Sequence, residues 1–437
     1  MANLTAASPK YQTTTLPCGL RIVYRHQASP VSYCGFMLDC GTRHEASPSQ
    51  FGLAHFIEHI LFKGTTHRDS WHINNRMESV GGELNAFTTK EETTFYSAFL
   101  SHDYERAIEL LCDLVCHATA PERELLKEQE VVIDEIMSYR DTPSELIYDE
   151  FENRLFAGHP LGHNILGSEE TVRQFHSQTC LDFIRHNYIP QRTIFFYQGE
   201  VSYERVLKSV MKHYAAEAEL GMRNEELGIN NVSQASNQQN KPDFSLLIPN
   251  SSLTNDNGIV IRSGHNQSHV LLGTTTYPIG HPNAAALALI NNMLGGPGMN
   301  SRLNLALRER RGLVYNVESN VTTYTDAGYF CIYFGCDHQD VHRCLHLCHQ
   351  QIEHLRLNPL TPAQLAAAKR QLCGQLGVGS ANMENSAILM AKNLLRLGHV
   401  EILEETCQRI DAVTPEQITK VMNQLFNKER LISVVIQ

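Results

Sequence analysis

The sequence contains no run of about 20 consecutive apolar residues, the length that a membrane-spanning helix needs. It has no concentrated Lys/Arg clusters, and its formal net charge of -11 disfavours a general role in binding nucleic-acid phosphates. The N-terminal segment lacks the basic and apolar blocks of a secretion signal and the arginine-rich pattern of a transit peptide. We therefore expect a cytoplasmic protein without membrane insertion or nucleic-acid partners; prior removal of a targeting segment is the alternative.

Cysteine is not scarce, but its distribution does not suggest a disulfide framework. Twelve cysteines are scattered over 437 residues, a chain large enough to fold without crosslinks. Cys112 and Cys116 lie at helical spacing in an apolar stretch, which is typical of buried thiols rather than a zinc or redox pair. Four histidines in loops near the motifs described below are expected to be surface or rim residues: His67, His72, His159 and His163.

The most informative feature is the pentapeptide HFIEH, which contains His55, Glu58 and His59. On a helix, positions i and i+4 lie about 40° apart around the axis, so both imidazoles can reach one cation. The order inverts the commoner His-Glu-x-x-His and still places the carboxylate where it can take a proton from a bound water. This arrangement predicts a zinc hydrolase. The alternative is an amphipathic helix whose histidines find local hydrogen-bond partners.

A catalytic zinc site needs a third protein ligand and one open position for water or substrate. The segment Glu122–Tyr139 predicts one long helix with an apolar stripe and several acidic residues. Glu128 and Glu135 are seven residues apart and share a face. Spacing alone does not select Glu135 over Asp134 or Glu130, and a solvated acidic face is the alternative for the whole run.

These segments together resemble the pitrilysin family of inverted-motif zinc metallopeptidases, in its single-unit, processing-peptidase-like form. The resemblance rests on HFIEH, on Glu135 within KEQEVVIDEI before an RDTP turn, and on GGELNAFTTKEETTFY at Gly81–Tyr96. It implies one Zn²⁺ per chain, held by His55, His59 and Glu135. It also implies that Glu58 is the general base and that Glu128 is a catalytic-site carboxylate supporting the ligands.

A second signature, LGGPGMNSRLNLALRERRGLVYNV, spans Leu294–Val317 and resembles the glycine-containing loop and helix of the family's C-terminal half. By that likeness Arg308 and Tyr315 are directed toward the active site, as catalytic and substrate-binding residues. Both could donate hydrogen bonds to a peptide carbonyl or to the oxyanion formed from it. The alternative is a helix-capping arginine and a core tyrosine.

The segment Leu84–Tyr96 is expected to be a strand whose exposed edge pairs with an extended peptide substrate. Matched to the family's substrate-edge residues, Asn85 and Ala86 would fix the register of that peptide. The alternative is an ordinary edge strand.

An internal repeat is visible when the residues Leu61-Phe62-Lys63-Gly64 are aligned with Met293-Leu294-Gly295-Gly296. His55 then falls on Leu287, Glu58 on Ile290 and His59 on Asn291, so the second copy cannot bind zinc. We expect an α+β protein with two homologous halves. The predicted divisions are a catalytic half at 1–215, a polar linker at 216–258 and a C-terminal half without metal ligands at 259–437.

The resemblance implies a zinc-dependent endopeptidase that hydrolyses short or unfolded peptides inside a closed chamber. Family members form such chambers either within double-length chains or by pairing two chains of about this size. We expect a homodimer, with a heterodimer containing a related subunit as the alternative. Two alternative functions are a presequence-type processing peptidase that needs a partner subunit, and a non-catalytic assembly subunit.

Overall fold

The computed structural model describes residues 11–215 and 258–437, which form two compact units. The described parts of the first unit are 11–136, 163–215 and 382–402. Those of the second unit are 137–162, 258–381 and 403–437. Each unit contains a mixed sheet covered by helices, so the expected α+β class is confirmed. The predicted linker, 216–258, lies outside the described residues except for Gly258.

The central strands are buried over most of their length, as expected where both faces of a sheet are covered, and every residue of Thr193–Gly199 is buried. The strands of the described residues are β1 (Tyr11–Thr15), β2 (Arg21–His26), β3 (Val31–Leu38), β4 (Glu83–Thr88), β5 (Thr93–Leu100), β6 (Thr193–Gly199), β7 (Gly258–Ile261), β8 (Ser268–Thr276), β9 (Val314–Thr323), β10 (Gly328–Cys336) and β11 (Ile432–Ile436).

The helices are amphipathic, and most bury one apolar stripe against a sheet. The α-helices of the described residues are α1 (Leu53–Leu61), α2 (Ser70–Glu78), α3 (Tyr104–Cys116), α4 (Glu122–Arg140), α5 (Pro143–Leu155), α6 (Glu169–Val172), α7 (Ser177–Asn187), α8 (Tyr203–Val210), α9 (Ala284–Gly295), α10 (Val341–Leu357), α11 (Pro362–Gly379), α12 (Met383–Leu397), α13 (Leu403–Asp411) and α14 (Pro415–Leu425). The long helix expected over Glu122–Tyr139 is therefore confirmed. No helix in these ranges is both long enough and apolar enough to cross a membrane.

The sheet of the first unit has the strand order β1-β2-β6-β3-β5-β4, with β2 and β6 parallel and the other pairs antiparallel. One face packs on α1, α3, α4 and α7 in the main core of the unit. The other face is covered by α12, where Ala387, Met390 and Ala391 are buried against Val23 and Phe196. The strand β4 is the last strand on its side of the sheet.

The sheet of the second unit has the order β7-β11-β8-β10-β9, with β7 and β11 parallel and the other pairs antiparallel. One face packs on α9, α10, α11 and α14. The other face is covered by α5, whose Ile147 and Phe151 are buried with Leu271, Cys331 and Val434.

The compact units do not coincide with the contiguous halves predicted at 1–215 and 259–437. Residues 137–162 belong to the second unit, and residues 382–402 belong to the first. The physical reason is that both faces of each sheet are apolar and need cover. The N-terminal half of the chain supplies α5, which covers one face of the second unit's sheet. The C-terminal half supplies α12, which covers one face of the first unit's sheet.

Three smaller expectations are corrected. The segment Leu84–Tyr96 is not one strand, because a turn at 89–92 separates β4 from β5. Cys116 is exposed, whereas Cys112 is buried as expected, and all twelve cysteines are free thiols. His163 is 7% exposed rather than a surface residue.

Candidate metal centre

Helix α1 carries HFIEH, and its first turn is fixed by a buried carboxylate. Gly52 precedes the helix at φ +94°, a conformation that favours glycine, and a side chain there would meet the carbonyl oxygen of Leu166 at 2.6 Å. The carboxylate of Glu45 accepts hydrogen bonds from the backbone N–H groups of Gly52 (3.0 Å) and Ala54 (2.9 Å). His163 donates to the same carboxylate through Nε2 at 2.9 Å. These bonds satisfy helix N–H groups and fix the start of α1.

The three expected zinc ligands converge at one place between α1 and α4. Nε2 of His55 lies 3.8 Å from Oε1 of Glu135, and Nε2 of His59 lies 3.5 Å from Oε2 of the same carboxylate. Each of the three residues offers one ligand atom, and those atoms lie within 4.8 Å of one another. Tetrahedral zinc with bonds of about 2.1 Å separates neighbouring ligand atoms by about 3.4 Å. The donor set and its spacing therefore fit Zn²⁺.

Glu128 lies behind this group and orients one of its imidazoles. Nδ1 of His59 donates to Oε1 of Glu128 at 2.9 Å, and because a carboxylate only accepts, Nδ1 carries the proton. In the neutral imidazole, Nε2 then keeps its lone pair toward Glu135. Lys63 pairs with Oε2 of Glu128 at 2.7 Å. Burial alone would raise the pKa of Glu128, but the hydrogen bonds from His59 and Lys63 hold it below its usual value.

His55 is 8% exposed, and its Nδ1 is buried without a hydrogen-bond partner among the described residues. Burial lowers the pKa of His55 to about 3, and the charge of His59 adds to the shift. For His59, burial acts in the same direction, but the hydrogen bond to Glu128 and the nearby carboxylates raise its pKa. His55 is thus held as the neutral imidazole, which is the form that binds metals.

Glu58 lies on α1 beside this group, and the edge strand orients it. The hydroxyl of Thr88, at the end of β4, donates to Oε2 of Glu58 at 2.6 Å. Burial raises the pKa of Glu58 and outweighs the opposing effects of Thr88 and His59, while Glu135 adds to the rise. The carboxyl group of Glu58 consequently holds a proton more readily than an exposed glutamate.

Asn85 and Ala86 lie in β4, opposite Tyr96 and Phe95 of β5. In the described sheet, β4 pairs on one side only. The strand that carries the two expected substrate-binding residues therefore also carries Thr88, the partner of Glu58.

The structure separates the acidic residues that spacing left equivalent. Asp134 is exposed, and Glu130 is exposed and pairs with Arg173 at 2.8 Å. Glu135 and Glu128 instead face the two histidines from positions two turns apart on α4. Of the acidic residues weighed from sequence, only these two contact the histidines of HFIEH.

Arg308 and Tyr315 belong to the second unit. The tyrosine is 88% exposed, so it is not a core residue, and the guanidinium of Arg308 lies 6.0 Å from the centroid of its ring. Gly312, at φ +59°, donates its N–H to the carbonyl oxygen of Arg308 at 2.7 Å and ends the helical turn. The roles expected for Arg308 and Tyr315 stay predictions.

Sequence reasoning missed several residues that support the site. Lys63 follows His59 by four positions, and this helical spacing could have suggested that it shares the face of the histidine. Thr88, Glu45 and His163 carry no comparable signal, because each reaches α1 from a separate loop or strand.

Comparison with known proteins gives the class to which this fold and site belong. Residues 21–169 match the family model described as insulinase (peptidase family M16), and residues 175–372 match the model described as peptidase M16 inactive domain. An uncharacterized zinc protease of Bacillus subtilis, YmxG, is 30% identical over 418 residues, covering 95% of this chain and 96% of its own length. An uncharacterized zinc protease of Streptomyces coelicolor is 30% identical over 430 residues, covering 97% of this chain and 88% of its own length. The chain belongs to peptidase family M16.

Solved structures show the same fold. The crystal structure of a protease from Helicobacter pylori has a TM-score of 0.85 and 20% sequence identity, covering 98% of this chain and all of that one. The structure described as a peptidase M16 inactive domain from Pseudomonas fluorescens has a TM-score of 0.82 and 20% identity, covering 98% and 97%. The expected duplicated α+β fold is confirmed.

Proposed function

We propose that the chain is a zinc-dependent endopeptidase of the inverted-motif, processing-peptidase-like kind, with one zinc ion held by His55, His59 and Glu135. The observation that carries the proposal is the convergence of two imidazole nitrogens and one carboxylate within 4.8 Å, with Glu58 on the same helix. The relatives named zinc proteases support the same metal and the same class of reaction.

Zinc bound there would supply the positive charge that acidifies a water molecule and polarises a peptide carbonyl. Glu58 would accept the proton of the attacking water and then deliver it to the leaving amine. Because Thr88 binds Oε2 of Glu58, we assign the proton transfer to Oε1. Glu128 would keep His59 in the tautomer that leaves Nε2 available to a metal.

The substrate would bind as an extended peptide along β4. An edge strand offers main-chain N–H and C=O groups to a peptide, which gives affinity with little dependence on side chains. Asn85 and Ala86 would set the register of that peptide beside Glu58. Arg308 and Tyr315 would donate hydrogen bonds to the substrate backbone or to the developing oxyanion.

We further propose that two copies of the chain pair to enclose short or unfolded peptides. The presence of both HFIEH and the Arg308/Tyr315 signature in one chain supports a homodimer over a heterodimer. Light scattering of the purified chain tests this. A monomer that gains activity only with a related subunit would favour the processing-peptidase alternative. The assembly-subunit alternative has less support, because the described ligand group and Glu58 are intact.

The direct test measures metal content and hydrolysis of a quenched fluorescent peptide, with and without a chelator. We expect chelation to stop cleavage and zinc to restore it. Glu135→Gln should greatly reduce zinc occupancy at this site, whereas the matched substitution Asp134→Asn on the exposed face of α4 should leave it unchanged. Equal zinc loss in the two variants would contradict the assignment of Glu135, and chelator-resistant cleavage would contradict the proposed chemistry.

A further inference from the structure

A second group of metal-ligating side chains lies in the first unit, and the proposed peptidase reaction does not use it. The group consists of His67, Asp113 and His117, each offering one ligand atom within 4.8 Å of the others. Nδ1 of His67 lies 2.7 Å from Oδ1 of Asp113, and Nδ1 of His117 lies 3.1 Å from the same oxygen. One carboxylate oxygen therefore faces two imidazoles.

The backbone holds these residues together. Asp113 and His117 are four positions apart at the end of α3, so they share a face of the helix. His67 lies in the turn after α1, and that turn pairs with the chain beyond α3. The N–H of Thr66 donates to the carbonyl oxygen of His117 at 3.0 Å, and the N–H of Thr119 donates to that of Gly64 at 3.0 Å. The positions of the two histidines do not depend on a bound ion.

The carboxylate of Asp113 has its two oxygens in different roles. Oδ2 accepts from the hydroxyl of Thr65 at 2.8 Å and from Nη1 of Arg68 at 2.5 Å, while Oδ1 faces the imidazoles. Arg68 also pairs with Glu109, which offsets its positive charge. Burial would raise the pKa of Asp113, but the hydrogen bonds from His67, Arg68 and Thr65 lower it. Asp113 is therefore an ionised, oriented, single-oxygen ligand.

The group is accessible, although its carboxylate is buried. The side chain of Asp113 is 4% exposed, that of His117 is 18% exposed and that of His67 is 55% exposed. All three line a cavity of about 260 Å³ together with His213, whose Nε2 lies 3.8 Å from Oε1 of Glu105. An ion could enter past His67, and the cavity has room for water as a further ligand.

We propose that His67, Asp113 and His117 form a second divalent-metal site, for Zn²⁺ or another ion that prefers imidazole, such as Co²⁺. The ion would replace protons that the Nδ1 atoms now direct at Oδ1. The separations of 2.7 and 3.1 Å are shorter than the roughly 3.4 Å between tetrahedral ligands, so the rings of His67 and His117 would move outward by about 0.7 and 0.3 Å. The bound ion would tie the turn after α1 to the end of α3.

The test counts the Co²⁺ equivalents bound by the metal-stripped full chain, using equilibrium dialysis and elemental analysis. We expect two equivalents in the unaltered chain and one each in His67→Ala and His117→Ala. His72→Ala is the matched control, because His72 is an exposed histidine that pairs with Asp69, and it should retain two. His67→Gln removes the imidazole but keeps a polar side chain, so it should also bind one equivalent. Circular dichroism checks that each variant is folded.

The two sites are distinguished by combining substitutions. Glu135→Gln should bind one equivalent, and the double variant with His67→Ala should bind none. The remaining equivalent should raise the melting temperature of Glu135→Gln but not that of the double variant. One equivalent in the unaltered chain that is retained in His67→Ala, or two in both His67→Ala and His117→Ala, would overturn the second site. Two equivalents in Glu135→Gln would instead refute the ligand role of Glu135. A melting temperature of Glu135→Gln that does not change on metal binding would contradict the proposed metal link between the turn after α1 and the end of α3.

Discussion

The two units share one strand arrangement and differ at the helix that lies beside the edge strand. The order β2-β6-β3-β5-β4 in the first unit corresponds to β7-β11-β8-β10-β9 in the second, and the parallel pair occupies the same place in both. Helix α1 carries HFIEH beside β4, and α9 occupies the corresponding place beside β9. The scaffold is duplicated, but the ligand set is not.

In the second unit, the positions that correspond to the three proposed ligands carry neither imidazole nor carboxylate groups. Pro121 lies just before α4, and Pro362 is the first residue of α11. Aligning these two prolines places Leu376 opposite Glu135. Leu287, Asn291 and Leu376 then occupy the positions of His55, His59 and Glu135, and all three line one cavity of about 860 Å³. Under the proposed ligand assignment, these three positions distinguish the metal-binding corner of the first unit from its counterpart in the second. The family model that matches residues 175–372 is described as an inactive domain.

The exchanged helices give a second comparison. Helix α5 covers its sheet mainly through apolar contacts around Phe151, whereas α12 adds a buried ionic cluster to its apolar face. In that cluster Lys392 and Arg396 pair with Glu92 in the β4–β5 turn, and Arg396 also pairs with Asp39 at 2.5 Å. The two helices should therefore respond differently to substitution and to pH.

The largest expected effect is at the proposed general base, which the second unit lacks at the corresponding position. Glu58→Gln should lower kcat by about 10²- to 10⁴-fold, because the attacking water loses its general base. Zinc occupancy should be unchanged, since Glu58 is not among the three ligands, and Ile290 in the second unit holds no comparable group. Peptide hydrolysis and elemental analysis of the same preparation provide the measurement. Loss of the metal together with activity would mean that Glu58 binds the ion.

The apolar attachment of α5 should be the next largest effect. Phe151 is fully buried, and its ring lies 5.8 Å from that of Tyr329. Phe151→Ala should lower the free energy of unfolding of the second unit by about 3–5 kcal/mol, through lost burial and the cavity left behind. Urea unfolding followed by circular dichroism tests this. Leu389→Ala on α12 is the control, because Leu389 is 56% exposed and should change little.

The support behind the ligands should have a smaller effect than the ligands themselves. Glu128→Gln should weaken zinc binding by about 10- to 100-fold, because His59 loses the charged partner that fixes its tautomer. Competition with a chromogenic chelator measures the affinity. Glu124→Gln, on the same helix but away from the histidines, should bind zinc like the unaltered chain. Equal affinity in both variants would return Glu128 to a purely structural role.

Much of the fold was predictable from the sequence because its signals are local. The 3.6-residue periodicity of α4 and the i, i+4 spacing of HFIEH each depend on neighbours along the chain. The exchange of α5 and α12 was not predictable in this way. An amphipathic helix shows that it needs an apolar surface, but its own residues do not specify which sheet provides it.

The same distinction between local signals and long-range contacts applies to the candidate site. His55 and His59 are fixed by spacing on one helix, but the choice of Glu135 over Asp134 depended on a family resemblance and now rests on which face of α4 meets α1. Thr88 and Glu45 could not be found from spacing, because their partners lie 30 and seven or more residues away. Such contacts depend on the assembled fold.

The ionic attachment of α12 should give the smallest effect and the one most sensitive to pH. Glu92 is 2% exposed, accepts from Arg396 at 2.8 Å and also pairs with Lys392. Burial would raise the pKa of Glu92, but the two cations lower it below its ordinary value of 4.5. Folding therefore favours the ionised form, and this contribution is complete above pH 4.5 and is lost as the pH falls through the folded-state pKa.

Glu92→Gln should accordingly lower the free energy of unfolding by about 1–3 kcal/mol near pH 7, since charge-assisted hydrogen bonds are weakened while an acceptor remains. The difference from the unaltered chain should narrow progressively below pH 4.5, because the glutamate is then neutralised as well. Urea unfolding at a series of pH values measures it, with Glu130→Gln on the exposed face of α4 as the control. A difference independent of pH would mean that the ionised form of Glu92 does not stabilise the attachment of α12, and the contrast with the mainly apolar contacts of α5 would disappear.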